Sequence, residues 1–223
     1  SGASYSGAAL PAALDAVAKT KGAETEVVIY QKISLGDGQQ ANNPWLQELP
    51  DPITKATWDN YAMVSPQFGK EVLGIDISNP RQADQYEVNT QKPVLQLTIN
   101  KKALELPVLI IPGMHNRTIA IAVGYGRSEK TGRAAKQVGK NAYPLLSFNG
   151  KTTDWLATDV SFKKADQVFK IAQTQTHSSY EGRHEVIKEI TLEEYQKNPR
   201  VILEEREEEI KNYGGVENYA KEG

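Results

Sequence analysis

Apolar residues recur at helical spacing in the opening segment AALPAALDAVAKTKG, where Ala9, Leu10, Ala13, Leu14 and Val17 fall on one face. Gly22 follows as a C-cap, so the pattern predicts a short amphipathic helix. The period changes at Thr25. TEVVIYQKISL is a dense run of β-branched and aromatic residues closed by Gly36-Asp37-Gly38, which predicts a buried strand ending in a turn. From Gln39 to Thr57 neither period holds. Pro44, Pro50 and Pro52 cannot donate to a ladder and push their predecessors toward extended backbone, so an ordered, non-helical loop is expected. WDNYAMVSP then predicts a short strand, and Ser65-Pro66 pairs an N-cap with a proline at the first helical position, opening a helix that stops near Gly74.

The centre of the chain carries three strand-like runs, YEVNTQKPVLQLTIN, ALELPVLIIPGM and TIAIAVGYG, each closed by Gly, Pro or Asn. Short strands at this spacing predict a barrel or sandwich. RSEKTGRAAKQVGKNAYPLL is polar and punctuated by glycine, as expected of a surface loop leading to another packed segment. Beyond Lys170 the text turns polar. Thr191-Leu-Glu-Glu194 is a capping box that opens a helix, and the acidic run from Glu204 to Glu209 reads as a solvated helix face, so this end is expected to be an extension of the core.

Composition narrows the chemistry. With 39% hydrophobic and 24% charged residues and a net charge of -2, the chain reads as a globular domain without a basic field for nucleic acid. It has no cysteine, which excludes a disulfide, a cysteine-ligated cluster and a thiolate nucleophile within the segment. His115, His177 and His184 lack metal-ligand spacing, so no metal site is expected. LPVLIIPGM is too short to span a bilayer, and no direct membrane insertion is expected. SGASYSGAAL lacks the basic start and apolar run of a signal peptide and reads as a stub left where a longer protein was cut.

Two segments carry candidate binding chemistry, each with a plainer reading beside it. Asn42, Asn43, Gln47 and Glu48 surround Trp45, a set able to hydrogen-bond and stack on a heterocycle; alternatively Trp45 plugs the barrel end while the amides satisfy loop backbone. Gly124-Tyr-Gly126-Arg127, with Lys130 and Arg133 behind, offers backbone amides and cations for a pyrophosphate, but fails the G-x-x-x-x-G-K-[ST] spacing and also reads as a strand-ending turn. Asp51, Asp59, Asp76 and Asp84 form no evident catalytic pair, and carboxylates in turn contexts commonly bond their own backbone.

The stretch NPWLQELPDPITKATWDN from Asn43 to Asn60, then Ser65-Pro66, VLIIPGM, AIAVGYGR and Gly139-Lys-Asn-Ala-Tyr-Pro-Leu145, resembles in the same order the C-terminal, dinucleotide-binding-type domain of molybdopterin oxidoreductases. QELPDPITKATWDNYA and the segment from Thr174 to Arg183, leading to TLEEYQKNP, most resemble the large iron-sulfur subunit of alternative complex III. The resemblance covers roughly Glu26 to Pro199. It implies a mainly β fold with peripheral helices, a double-psi β-barrel of the aspartate decarboxylase-like type over residues 25–172. Residues 1–24 would be a leading helix or stub of an upstream domain, and 173–223 a polar, acidic extension toward a missing iron-sulfur domain.

The resemblance further implies a fragment, not itself catalytic, of a quinol:electron acceptor oxidoreductase on the periplasmic side of the bacterial inner membrane. Its partners would be other domains of the same subunit and other subunits of the respiratory complex. Within the superfamily this domain holds part of molybdopterin guanine dinucleotide, and the corresponding wall here would be Asn43, Trp45, Gly124, Gly126, Arg127 and Asn141, the last at the G-x-N-A position. The alternative complex III subunit is understood to have lost that cofactor. The implied state is therefore a cofactor-free structural domain, with iron-sulfur clusters only in the missing part; the alternative is the dinucleotide-binding domain of an active molybdenum enzyme. His177, Arg183 and His184 would lie in the linker toward the cluster half, where a histidine could assist proton release or simply be solvated.

Overall fold

In a computed structural model, which describes residues 7, 9–19, 22–148, 150, 152–176, 188–212 and 214–216, the predicted opening helix is α1 (Ala9–Lys19). The β-branched run forms β1 (Glu26–Tyr30). The segment expected to be a non-helical loop contains a short helix, α2 (Pro44–Glu48), followed by β2 (Ala56–Thr57). The correction has a local cause: the Asn43 side chain accepts from the Trp45 and Leu46 amides, while Pro44 occupies a position whose missing N–H is no loss.

β3 (Ala62–Val64) and α3 (Pro66–Phe68) fall where expected, with the Ser65 hydroxyl accepting from the Phe68 amide at 3.0 Å. The helix continues as a π-turn to Leu73 and stops at Gly74, which has φ 75°. A further helix, α4 (Pro80–Val88), takes in Tyr86 to Val88, which the sequence pattern assigns to a strand; Asn79 caps it and Pro80 opens it. The strand proper is β4 (Gln91–Ile99), followed by β5 (Lys102–Ile110) and β6 (Thr118–Ala122). After the polar loop come β7 (Ser147–Phe148), β8 (Thr153–Asp154), β9 (Leu156–Ala157), the long β10 (Val160–Lys170) and β11 (Ala172–Gln173).

Seven strands form one mixed sheet in the order β10-β4-β5-β3-β6-β1-β9. β1 runs parallel to β6 and β3 parallel to β5, and the two parallel pairs are joined by the antiparallel contact of β3 with β6. Alternation along β4 and β5 sends Leu95, Leu97, Ile99, Leu106, Val108 and Ile110 into one core, where Phe68 and Phe162 meet with ring centroids 5.0 Å apart. Each fully buried side chain of this size contributes about 2 kcal/mol of apolar burial. A second cluster, including Tyr61, Met63, Leu109 and Ile171, packs separately.

The chain divides into two compact units, residues 1–177 and 178–223. In the second, α5 (Leu192–Lys197) begins with the predicted capping box, Thr191 and Glu194 each bonding the other's backbone. α6 (Val201–Asn212) holds the acidic run, and none of its residues is buried. Among the described residues, no helix is long and apolar enough to cross a membrane.

Candidate functional site

Three loops meet beyond the ends of β1 and β6. Gly36 and Gly38 have φ 53° and 91°, and Gly124 and Gly126 have φ 98° and 66°. Close approach also requires glycine at two of these: a Cβ on Gly38 would lie 2.7 Å from Gly124 Cα, and one on Gly126 only 2.2 Å from the Asn141 nitrogen. The bare backbones pack against one another. Arg127 fastens this junction by donating from Nη2 to the Asp37 carbonyl at 2.7 Å, and the Tyr143 hydroxyl donates to the same oxygen at 2.6 Å. The guanidinium also lies 5.8 Å from the Tyr143 ring centroid.

The Trp58-Asp59-Asn60 segment supplies a second fastening. Asn60, 1% exposed, donates from Nδ2 to the carbonyls of Ala122 and Lys140, both at 2.9 Å, and accepts the Lys140 amide at 2.8 Å. Asp59 accepts the Gly139 amide at 3.0 Å. Burial raises the Asp59 carboxyl above its ordinary range, against the Gly139 amide and the charges of Lys140 and Lys32, which pull it down. Two of the stretches that carry the family resemblance thus hold each other across 80 positions of sequence.

Of the six predicted wall residues, Gly124, Gly126, Arg127 and Asn141 come together here. Asn43 is engaged in capping α2, and Trp45 is 82% exposed, which removes the reading of a barrel plug. The neighbouring Asn42 reaches the basic loop instead, accepting the Ala134 amide at 3.0 Å. His177, Arg183 and His184 lie outside the described residues.

Several donors of the expected pyrophosphate cradle are engaged within the domain. The Gly126 amide, expected to be exposed, donates to the Val138 carbonyl at 2.8 Å, and the Gly38 amide donates to Leu35 at 2.8 Å. The Gly139 and Lys140 amides are held by Asp59 and Asn60, and the Asn141 side chain accepts the Tyr143 amide at 3.1 Å. A phosphate could use these donors only by breaking the junction. Asp51, as expected of a turn carboxylate, accepts its own loop's Ile53 and Thr54 amides, whereas Asp59 bonds a distant loop.

Two features escape the sequence reading. Lys32, 4% exposed, places Nζ 4.7 Å from the Tyr61 ring centroid and 5.5 Å from that of Tyr125. Burial lowers its ammonium to about 8, opposed by the negative charges of Asp51 and Asp59. Its only sequence signal is a lysine inside a run otherwise fit for burial. The second is a cleft of about 260 Å3 between the Asp59 to Asn60 and Gln137 to Lys140 loops and the outer strands, where Val94, Glu105, Pro107, Gln167, Val168 and Phe169 complete the lining. Glu105 accepts from the side-chain amides of Gln96 and Gln167.

Among the described residues, no group of three or more His, Asp or Glu side chains stands together as a metal site. No protein-family model matches the chain, and no curated protein matches it.

Proposed function

We propose that this chain is a structural and interaction domain of a molybdopterin oxidoreductase-like subunit of the alternative complex III type, keeping the outline of a dinucleotide site without using it. Its fold on this reading is an offshoot of the double-psi barrel. What supports that derivation is the interleaved order β5-β3-β6-β1, with parallel pairs on both flanks of one antiparallel contact.

The single observation that carries the functional reading is the internal use of several would-be cofactor donors. Arg127 and the Gly126 amide, together with the amides of Gly139 and Lys140, donate to partners within the domain, and the Asn141 side chain accepts the Tyr143 amide. A residue set that binds a dinucleotide keeps such donors turned toward the ligand. Here they close loops on loops, as a domain does when its role is to hold a shape for neighbouring domains and subunits. In the intact complex the partners are those neighbours, on the periplasmic side of the membrane, and iron-sulfur clusters belong to a separate domain.

Metal analysis and pterin fluorescence on the intact subunit test the reading. Molybdenum and pterin far below one equivalent per subunit are expected. Stoichiometric pterin, lost on substitution of Arg127, would overturn it in favour of a working molybdopterin guanine dinucleotide site.

A further inference from the structure

The cleft beside the Asn60 to Lys140 junction has chemistry that the junction does not consume. Asp59 gives one carboxylate oxygen to the Gly139 amide, and Oδ2 makes no hydrogen bond to the described residues. Glu105, on β5, also lines the cleft, with Oε1 accepting from Gln96 and Oε2 from Gln167. Asp59 and Glu105 are the carboxylates of the lining and Lys140 its cation, while the charge of buried Lys32 also acts on Asp59. The remaining wall is apolar: Val94 and Pro107 are buried, and Phe169 adds an aromatic ring.

We propose that this cleft is a socket for an arginine side chain presented by a partner protein. The proposal rests on the interaction-domain reading above and names one contact surface of it. Arginine fits on three counts. Its guanidinium is planar, carries several donors and pairs with carboxylates on more than one edge, which suits a cleft lined by two carboxylates. Its plane stacks on aromatic rings, and Phe169 supplies one. Its methylene stem covers apolar surface, which Val94, Pro107 and Val168 provide. A cleft of about 260 Å3 is large enough to admit one such side chain. Burial of Asp59 makes a cation there more effective than at a solvated carboxylate, because the screening water is already partly excluded.

Titration of the isotope-labelled full chain with N-acetyl-arginine N-methylamide, followed by amide chemical shifts, tests the socket. Saturable shifts are expected at Gly139, Lys140, Val168 and Phe169, with a weaker response to the lysine counterpart and none to the citrulline counterpart, which keeps the shape but not the charge. Asp59→Asn and Glu105→Gln should each weaken binding at least about tenfold. Glu105→Gln leaves the Gly139 contact untouched, so its effect is separable from folding. Lys140→Ala, which removes the opposing charge, should tighten binding, a gain that loss of structure cannot imitate. Absence of saturable shifts, an equal response to citrulline, or unchanged affinity in both carboxylate variants overturns the proposal. Recovery of pterin from the intact subunit would instead sink the cofactor-free reading without altering this titration.

Discussion

Asn60 pairs with the backbone of Lys140 from both sides, accepting its amide at 2.8 Å and donating to its carbonyl at 2.9 Å, as a neighbouring strand residue would. The second Nδ2 proton goes to Ala122, at the end of β6. One side chain therefore substitutes for a missing strand and ties the Gly139 to Asn141 loop to the sheet.

Replacing Asn60 by alanine should cost about 3 kcal/mol, because it strands buried donors and acceptors as well as removing the bonds themselves. Asn60→Asp should be worse at neutral pH, since a carboxylate would face two carbonyl oxygens. Urea unfolding of both variants measures the difference, and an Asn60→Ala variant as stable as the parent would refute the account.

Gly126→Ala should destabilise by more than about 2 kcal/mol, combining left-handed backbone with a contact against the Asn141 nitrogen that cannot yield. Gly113→Ala is the control. It shares the left-handed backbone, at φ 90°, but has nothing within 4 Å of the added carbon, so only about 1 kcal/mol is expected. Equal losses in thermal melts would show that the close approach is unimportant.

Arg127 and Tyr143 share one acceptor, the Asp37 carbonyl. Either donor alone keeps that oxygen satisfied, so Arg127→Met and Tyr143→Phe should each cost about 1 kcal/mol. The double variant should lose about 1 kcal/mol more than their sum, because only then is the carbonyl abandoned. Simple additivity in a double-mutant cycle would contradict the shared role.

Stability should peak on the alkaline side of neutrality. Burial lowers both Lys32 and Lys92 to about 8, so between about pH 8 and pH 10 the unfolded chain holds more protons than the folded one. Stability then climbs, by up to about 1.4 kcal/mol per pH unit for each lysine. Above pH 10 the direction reverses, because burial raises Tyr30, Tyr61, Tyr86 and Tyr125 and the unfolded chain now loses protons that the folded chain retains. Lys32→Met should remove about half of the rise. Denaturant midpoints measured across this range in both proteins check it.

Local chemistry was legible only where a single pattern spoke. Asn43-Pro44, Ser65-Pro66 and Asn79-Pro80 are the same cap-and-proline signature, and each opens a helix. The sequence reading uses only the middle one. Pro50 and Pro52 argue for a loop around the first, and the third opens a helix with no buried residue, so no apolar stripe announces it. β10 is hidden for a related reason: the alternation begun by Val160 and Phe162 dissolves at the irregularity between Lys164 and Val168. The family resemblance singles out Gly124, Gly126, Arg127 and Asn141, which do converge, but not that the Gly126 amide and the Arg127 guanidinium are used internally, on the Val138 and Asp37 carbonyls. The neighbouring Gly139 and Lys140 amides are taken by Asp59 and Asn60, partners 80 positions away that no local period can reveal.

The two ends of the sheet carry a last consequence. β10 is the outermost strand on one side, eleven residues long, and a flank of that length is a ready template for another chain. Its defences are the break in register and the lysines at 163, 164 and 170, which make in-line annealing of a second molecule costly. The opposite flank, β9, is protected by being only two residues long. Straightening β10 by deleting the irregular segment, or neutralising its lysines, would turn a discreet edge into an aggregation seed.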